Sequence, residues 1–108
     1  MAISEAIVIF VTTPTSKEAQ RISDLLIEKK KAACVNIIPR IDSVFGWEGK
    51  VEQQQECLLI VKSKVSVLNE VTRLVKQSHS YEVPEIIAMP IVGGNEDYLM
   101  WLDDAVEE

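Results

Sequence analysis

One histidine, two cysteines and four glycines are spread over 108 residues, and each scarcity narrows what this chain can be. A lone imidazole rules out multi-histidine metal spacings of the H-x₃-H type. The glycines build no phosphate-cradling loop, and Gly93-Gly94 by itself reads as a turn. No apolar run approaches the length of a bilayer span, the longest being Ala6 to Val11. That run follows Glu5 with no basic stretch before it, so a secretory leader is not expected. Basic charge is short as well: 11 Lys and Arg face 17 Asp and Glu, for a net charge of −6. A surface built to neutralise phosphates needs the opposite balance, so neither nucleic acid nor membrane is expected as a partner. Repeats, low-complexity tracts and Gly/Ser linkers are missing, which leaves one domain over residues 1–108. Two cysteines without a leader point to free thiols in a reducing, cytoplasmic setting.

What is present has the ordinary balance of a soluble globule, 47% hydrophobic and 26% charged. The β-branched run in Ile3 to Thr13 predicts a central strand covered on both faces. Thr15 and Glu18 are spaced as a capping box, each satisfying a free amide of the other's turn. Ile22, Leu25 and Leu26 continue at helical spacing, predicting a helix from Ser16 to about Lys31. The Lys29-Lys30-Lys31 run falls at its negative end, where cations are favoured. From Ala33 to Trp47 the odd positions form a nearly unbroken apolar face at strand period. The chain turns near Glu48-Gly49 and returns through polar Glu52 to Glu56 into Cys57-Leu58-Leu59-Ile60-Val61. A second helix carries Val67, Leu68, Val71, Leu74 and Val75, with Ser66 as its N-cap. Glu85 to Val92 reads as an edge strand because Pro90 lacks a ladder donor. Asn95 caps a last helix that buries Tyr98, Leu99 and Leu102. The order βαββαβ plus a helix predicts an α+β, ferredoxin-like sandwich with an added C-terminal helix.

Ala33 to Trp47 extends roughly 50 Å at strand rise, longer than a domain this size is wide. The hairpin must overhang or bend, and Pro39 is the natural bend. Its distal part carries Val44, Phe45 and Trp47 beyond reach of the chain's own core, so a homo-oligomer sealed by these hairpins is expected. The acidic residues Asp103, Asp104, Glu107 and Glu108 crowd the negative end of the last helix, which is unfavourable unless that end frays or meets a neighbour's basic groups. In the hairpin, Cys34 falls opposite roughly residue 63. Cys57 is then roughly 20 Å distant along the strand, too far for a disulfide.

His79 opens a loop with Glu82 and Glu85 at three-residue intervals. Imidazole and carboxylates here, with Cys34 as a soft donor, make a candidate divalent-metal set, and the thiol and imidazole favour copper or zinc. Deprotonation of such ligands makes affinity fall as pH drops through the imidazole range. The competing reading has His79 capping a helix end and the two glutamates solvated. A Cys34–His79 nucleophile pair is a further alternative, though no orienting group stands out. A third is a regulatory module with clefts between subunits, lined by Trp47, Lys62, Tyr81 and Glu85.

Read together, several stretches resemble the CutA, or divalent-cation tolerance, family. They are Thr12-Thr13-Pro14, Ala32-Ala33-Cys34-Val35-Asn36-Ile37-Ile38-Pro39, Ser43-Val44-Phe45-Gly46-Trp47-Glu48-Gly49, Glu56 to Lys62, His79 to Ile86, and Tyr98 to Leu102. The resemblance implies a ferredoxin-like subunit in a tight homotrimer, similar in architecture to PII signalling proteins. Phe45, Trp47, Lys62, Tyr81 and Trp101 are then expected at the trimer interface or inter-subunit cleft. It also implies tolerance of copper and other divalent metals, binding of Cu²⁺, and a metal set of His79 and Cys34 helped by Glu82 or Glu85, while leaving the biochemical activity unsettled. Our own reading of the residues expects neither an organic cofactor nor catalytic turnover. Any partner protein is left unnamed by the resemblance. Two positions depart from the family pattern: Ser80 stands where Pro is frequent, and Ala32 where Leu is frequent. The first removes a φ restraint from the loop carrying His79, which predicts a looser loop.

Overall fold

The computed structural model describes residues 5–108. Strand β1 (Ala6–Thr13), helix α1 (Ser16–Glu28), strands β2 (Cys34–Trp47) and β3 (Lys50–Lys64), helix α2 (Leu68–Ser78), strand β4 (Ile86–Pro90) and helix α3 (Glu96–Ala105) follow in that order. The four strands form one antiparallel sheet in the order β2-β3-β1-β4. This is the α+β split-βαβ arrangement expected from the pattern of elements.

Alternation along β1 decides which side is core. Ile7, Ile9 and Val11 point to the helices with Leu59 and Val61 of β3, and all are buried. They meet Ala19, Ile22 and Leu26 from α1 and Val71, Leu74 and Val75 from α2. Burying each of the larger aliphatics contributes about 1.5–3 kcal/mol. Leu99, Leu102 and Val106 extend this core beneath α3. Tyr98, expected inside, is 42% exposed instead.

Among the described residues nothing covers the sheet's other face, contrary to the two-sided burial expected for β1. Phe10 stands level with Ile60 and Ile87, and Val8 with Lys62 and Met89. Ile87 and Met89 stand well exposed on this face.

The hairpin follows its sequence cues closely. Glu48 and Gly49 have φ of 50° and 77°, the left-handed pair that a two-residue hairpin turn requires. Register shifts between Ile38 and Ile41, a bulge at Pro39. Cys34 pairs with Lys62, one residue from the expected position, and both cysteines are free thiols. Because β1 reaches only to Cys57, the Lys50–Glu56 stretch of β3 pairs with β2 alone. That leaves an overhang of roughly 20 Å by strand rise, in a chain 45 Å along its longest axis. Val44, Phe45, Trp47 and Val51 are exposed on it.

Helix ends depart from expectation in three places. Helix α1 stops at Glu28 with Lys29 as C-cap, and Lys30 turns the chain at φ 58°. Ser66 does not cap α2; it sits in a 3-10 turn, Val65–Val67, which leads into the helix without a side-chain cap. Three of the four acids at the end of α3 find their counter-charges inside the chain, with Lys64 on Asp103 at 3.1 Å and on Glu108 at 3.5 Å, and Lys30 on Glu107 at 3.5 Å. They therefore do not argue for a neighbour. Asn95 does cap α3, accepting from the Asp97 amide at 3.0 Å.

Candidate functional site

The loop that follows α2 is held by polar bonds reaching both helices' ends and β1. Arg21 donates to the Ser78 carbonyl at 2.7 Å, closing the C-terminus of α2 against α1. His79 then turns inward, its side chain fully shielded from solvent. Its Nε2 lies 2.7 Å from the Thr12 carbonyl, and its Nδ1 accepts from the Tyr81 amide at 3.0 Å. A carbonyl only accepts, so Nε2 carries the proton and Nδ1 offers its lone pair to Tyr81.

Glu18 is the residue that sequence spacing misassigns. Its amide does donate to Thr15 Oγ1 at 3.2 Å, the first half of a capping box. Its carboxylate does not return to the cap. It accepts from the Ser80 amide at 3.0 Å and the Ser80 hydroxyl at 3.1 Å, with His79 Nδ1 3.3 Å away. The side chain is 8% exposed. Ser80 therefore anchors the loop instead of loosening it. Proline there would offer neither bond.

Tyr81 carries the connection on to the hairpin. Its hydroxyl donates to Glu56 at 3.0 Å and accepts from Gln54 Nε2 at 2.7 Å. Burial first, then the Glu56 bond and charge, hold that hydroxyl above the ordinary tyrosine value of 10.0. Between loop and hairpin lies an open groove of about 1190 Å³. Phe45, Trp47 and Val83 give it apolar walls, while Glu52, Gln54 and Glu82 give polar ones. Glu82 and Glu85 are both exposed.

The four residues expected to hold a metal do not converge within one chain. Cys34 lies on β2 level with Lys62, whereas His79 bonds to Thr12, whose β3 partner is Leu58. That offset is roughly 13 Å along the strands. His79 has both nitrogens engaged, and among the described residues no group of three or more His, Cys, Asp or Glu side chains is placed to hold an ion. The described residues of this chain by themselves thus do not fit a resident metal. The same offset removes the Cys34–His79 nucleophile pair.

Cys34 has a different neighbourhood. Its Sγ is 4.0 Å from Asn36 Oδ1, which accepts from the Lys62 ammonium. Tyr98 stands alongside, held above 10.0 by burial and then by the Cys34 sulfur, and its ring lies 5.4 Å from that of Trp101. Cys57 is buried and spends its S–H on the Pro39 carbonyl at 3.2 Å.

Fold and surroundings define a ferredoxin-like α+β domain with an open apolar sheet face, an overhanging hairpin and a locked histidine loop at the hairpin's base. Residues 7–105 match the family described as CutA1 divalent ion tolerance protein. The chain belongs to that family. It is 48% identical over 103 residues to the chloroplastic CutA 1 protein of Oryza sativa, covering 95% of this chain and 58% of that one. With the divalent-cation tolerance protein CutA of Thermus thermophilus it shares 43% over 95 residues, 88% of this chain and 92% of the other. The chain thus spans little more than half the length of the plant relative. Among solved structures, CutA1 from Oryza sativa superposes with a TM-score of 0.94 at 48% identity, covering 96% of this chain and 95% of that one. A CutA from Archaeoglobus fulgidus, described as periplasmic, gives 0.91 at 46%, covering 94% and 99%.

Proposed function

We propose that the chain serves divalent-cation tolerance as a homotrimeric binding module without catalytic turnover, PII-like in architecture and working in the cytoplasm. The observation that carries this is the open sheet face bearing Phe10, Ile60, Ile87 and Met89, continued by the exposed Phe45 and Trp47 of the overhang. Apolar area of this extent is removed from water by association. Trp101, half exposed on α3, is assigned to the same interface. Cu²⁺ or a related ion is then cargo, bound at modest affinity by donors from more than one subunit. The exposed Glu82 and Glu85 are first among these and Cys34 is a soft supplement. His79 shapes the loop that presents them.

Light scattering with calorimetric titration tests both parts. A mass of three chains is expected, with saturable Cu²⁺ binding that weakens in a Glu82→Gln, Glu85→Gln double variant. A monomer would remove the module, and equal weak binding of Cu²⁺, Zn²⁺ and Mg²⁺ in parent and variant would reduce the metal reading to surface charge. The groove beside Tyr81 favours a second reading, a PII-like sensor or scaffold for a small ligand or partner protein. Its apolar walls with few polar groups have the make-up of a ligand cleft.

A further inference from the structure

Two rows of side chains cross the open sheet face. Register places Cys34, Lys62, Val8 and Met89 in one, and Asn36, Ile60, Phe10 and Ile87 in the next. Lys62 carries the one charge in these rows, and it is half-buried already. Its ammonium donates to Asn36 Oδ1, and the Cys34 thiol, 4.0 Å away, donates to the same oxygen. A polar pair thus stands inside a face otherwise made of Val8, Phe10, Ile60, Ile87 and Met89. The association proposed above covers this face, and the present inference rests on that reading. Covering it takes the ammonium out of water beside a neutral partner, which is costly unless the arriving surface brings acceptors for its remaining donors. A second copy has them. Strands β2 and β4 are the outer strands of the sheet, so each copy's margins carry main-chain carbonyls without a ladder partner. A chain of net charge −6 also meets an ammonium with the complementary sign. The apolar residues make no such demand. Their burial is non-directional, so a copy slipped along the strands, or a different number of copies, covers them about as well.

We propose that the Lys62–Asn36 pair sets the register and copy number of association. Among the arrangements that cover the apolar face, it admits the one that brings oxygen acceptors of a second copy to the ammonium. Asn36 holds the ammonium in place from within the chain, and the second copy completes its bonds. A polar group inside an apolar contact acts this way because every arrangement that leaves its donors unmet is penalised. Lys62 therefore governs specificity and adds little to affinity, since replacing a buried polar group by an apolar one of similar size is often neutral or stabilising.

The experiment is sedimentation with light scattering over a range of chain concentrations, in chelator so that no metal contributes. The parent is expected as a single mass of three chains. Lys62→Met is expected to associate at least as tightly, with unchanged far-UV circular dichroism. Its species of other mass should rise about tenfold or more over the parent's, the discrimination of one charge-assisted bond. Lys62→Arg, which keeps the charge and the donors, is expected to hold those species within a few fold of the parent. Lys17→Met removes one charge from the exposed side of α1 and is expected to match the parent. A single mass of three chains in Lys62→Met overturns the inference and leaves the association standing. Dissociation of Lys62→Met to single chains overturns it too, because Lys62 would then supply affinity. An equal spread of masses in Lys17→Met does the same by tracing the effect to net charge. A monomeric parent overturns the proposed association and this inference together.

Discussion

Replacing Glu18 by alanine is expected to destabilise the chain by about 2–3 kcal/mol. The magnitude follows from what the carboxylate holds. Ser80 donates to it twice, from its amide and its hydroxyl, at 3.0 and 3.1 Å. Hydrogen bonds to a charged group contribute about 1.5–3 kcal/mol each. Both of these end on the same oxygen and share its field, so the pair is worth little more than the stronger one. The Arg21 contact adds nothing comparable, being long at 3.8 Å with its guanidinium half exposed. Glu18→Gln keeps an acceptor without the charge and is expected to lose about 1 kcal/mol. The assay is urea unfolding at fixed chain concentration, because association feeds into apparent stability. A double-mutant cycle with Ser80→Ala then isolates the pair, with a coupling of at least about 1 kcal/mol expected. Additivity of the two substitutions within about 0.3 kcal/mol, or a Glu18→Ala loss no larger than that of Arg21→Ala, would refute the reasoning. Glu18 would then be an ordinary first-turn acid.

Three further outcomes follow from the same geometry. Burial alone would pull the Lys64 ammonium down, but the Asp103 bond and charge, joined by Glu108, more than offset it and hold it above the ordinary 10.5. A raised folded value stabilises fully below the unfolded one, so this contribution is lost as pH rises through the folded value. Unfolding midpoints of the parent are therefore expected to drop above about pH 10.5 more steeply than those of Lys64→Met, and parallel profiles would contradict it. Ser80→Pro, which moves the chain toward the family's frequent residue, is expected to destabilise by about 1–2 kcal/mol in chemical denaturation, since it deletes both bonds to Glu18. A gain in stability would show that loop entropy outweighs them. Phe45→Glu on the overhang is expected to shift the oligomer toward smaller species in light scattering, with the far-UV circular dichroism of the subunit unchanged.

What was legible in the chain was whatever local chemistry decides. Glu48-Gly49 turns because glycine takes the second left-handed position of a two-residue hairpin without strain, and Pro39 had to break the ladder because it lacks a donor. The Asn95 cap and the helix stripes are equally local. The misreadings share the opposite property. Thr15 and Glu18 satisfy a capping spacing, and half of that cap forms, yet the carboxylate goes to Ser80 across 62 positions of sequence. His79 was a candidate ligand by residue type, but the Thr12 carbonyl and the Tyr81 amide take its one N–H and its one lone pair. Asp103, Glu107 and Glu108 looked unpaired only because Lys30 and Lys64 are distant in sequence. A side chain's type says which bonds it is able to make. The fold chooses among them by which unsatisfied main-chain group it brings near, and here that choice turned a candidate metal ligand and a candidate cap into the frame of a loop. Function therefore shifts to the groups the frame leaves free, namely the exposed carboxylates of that loop.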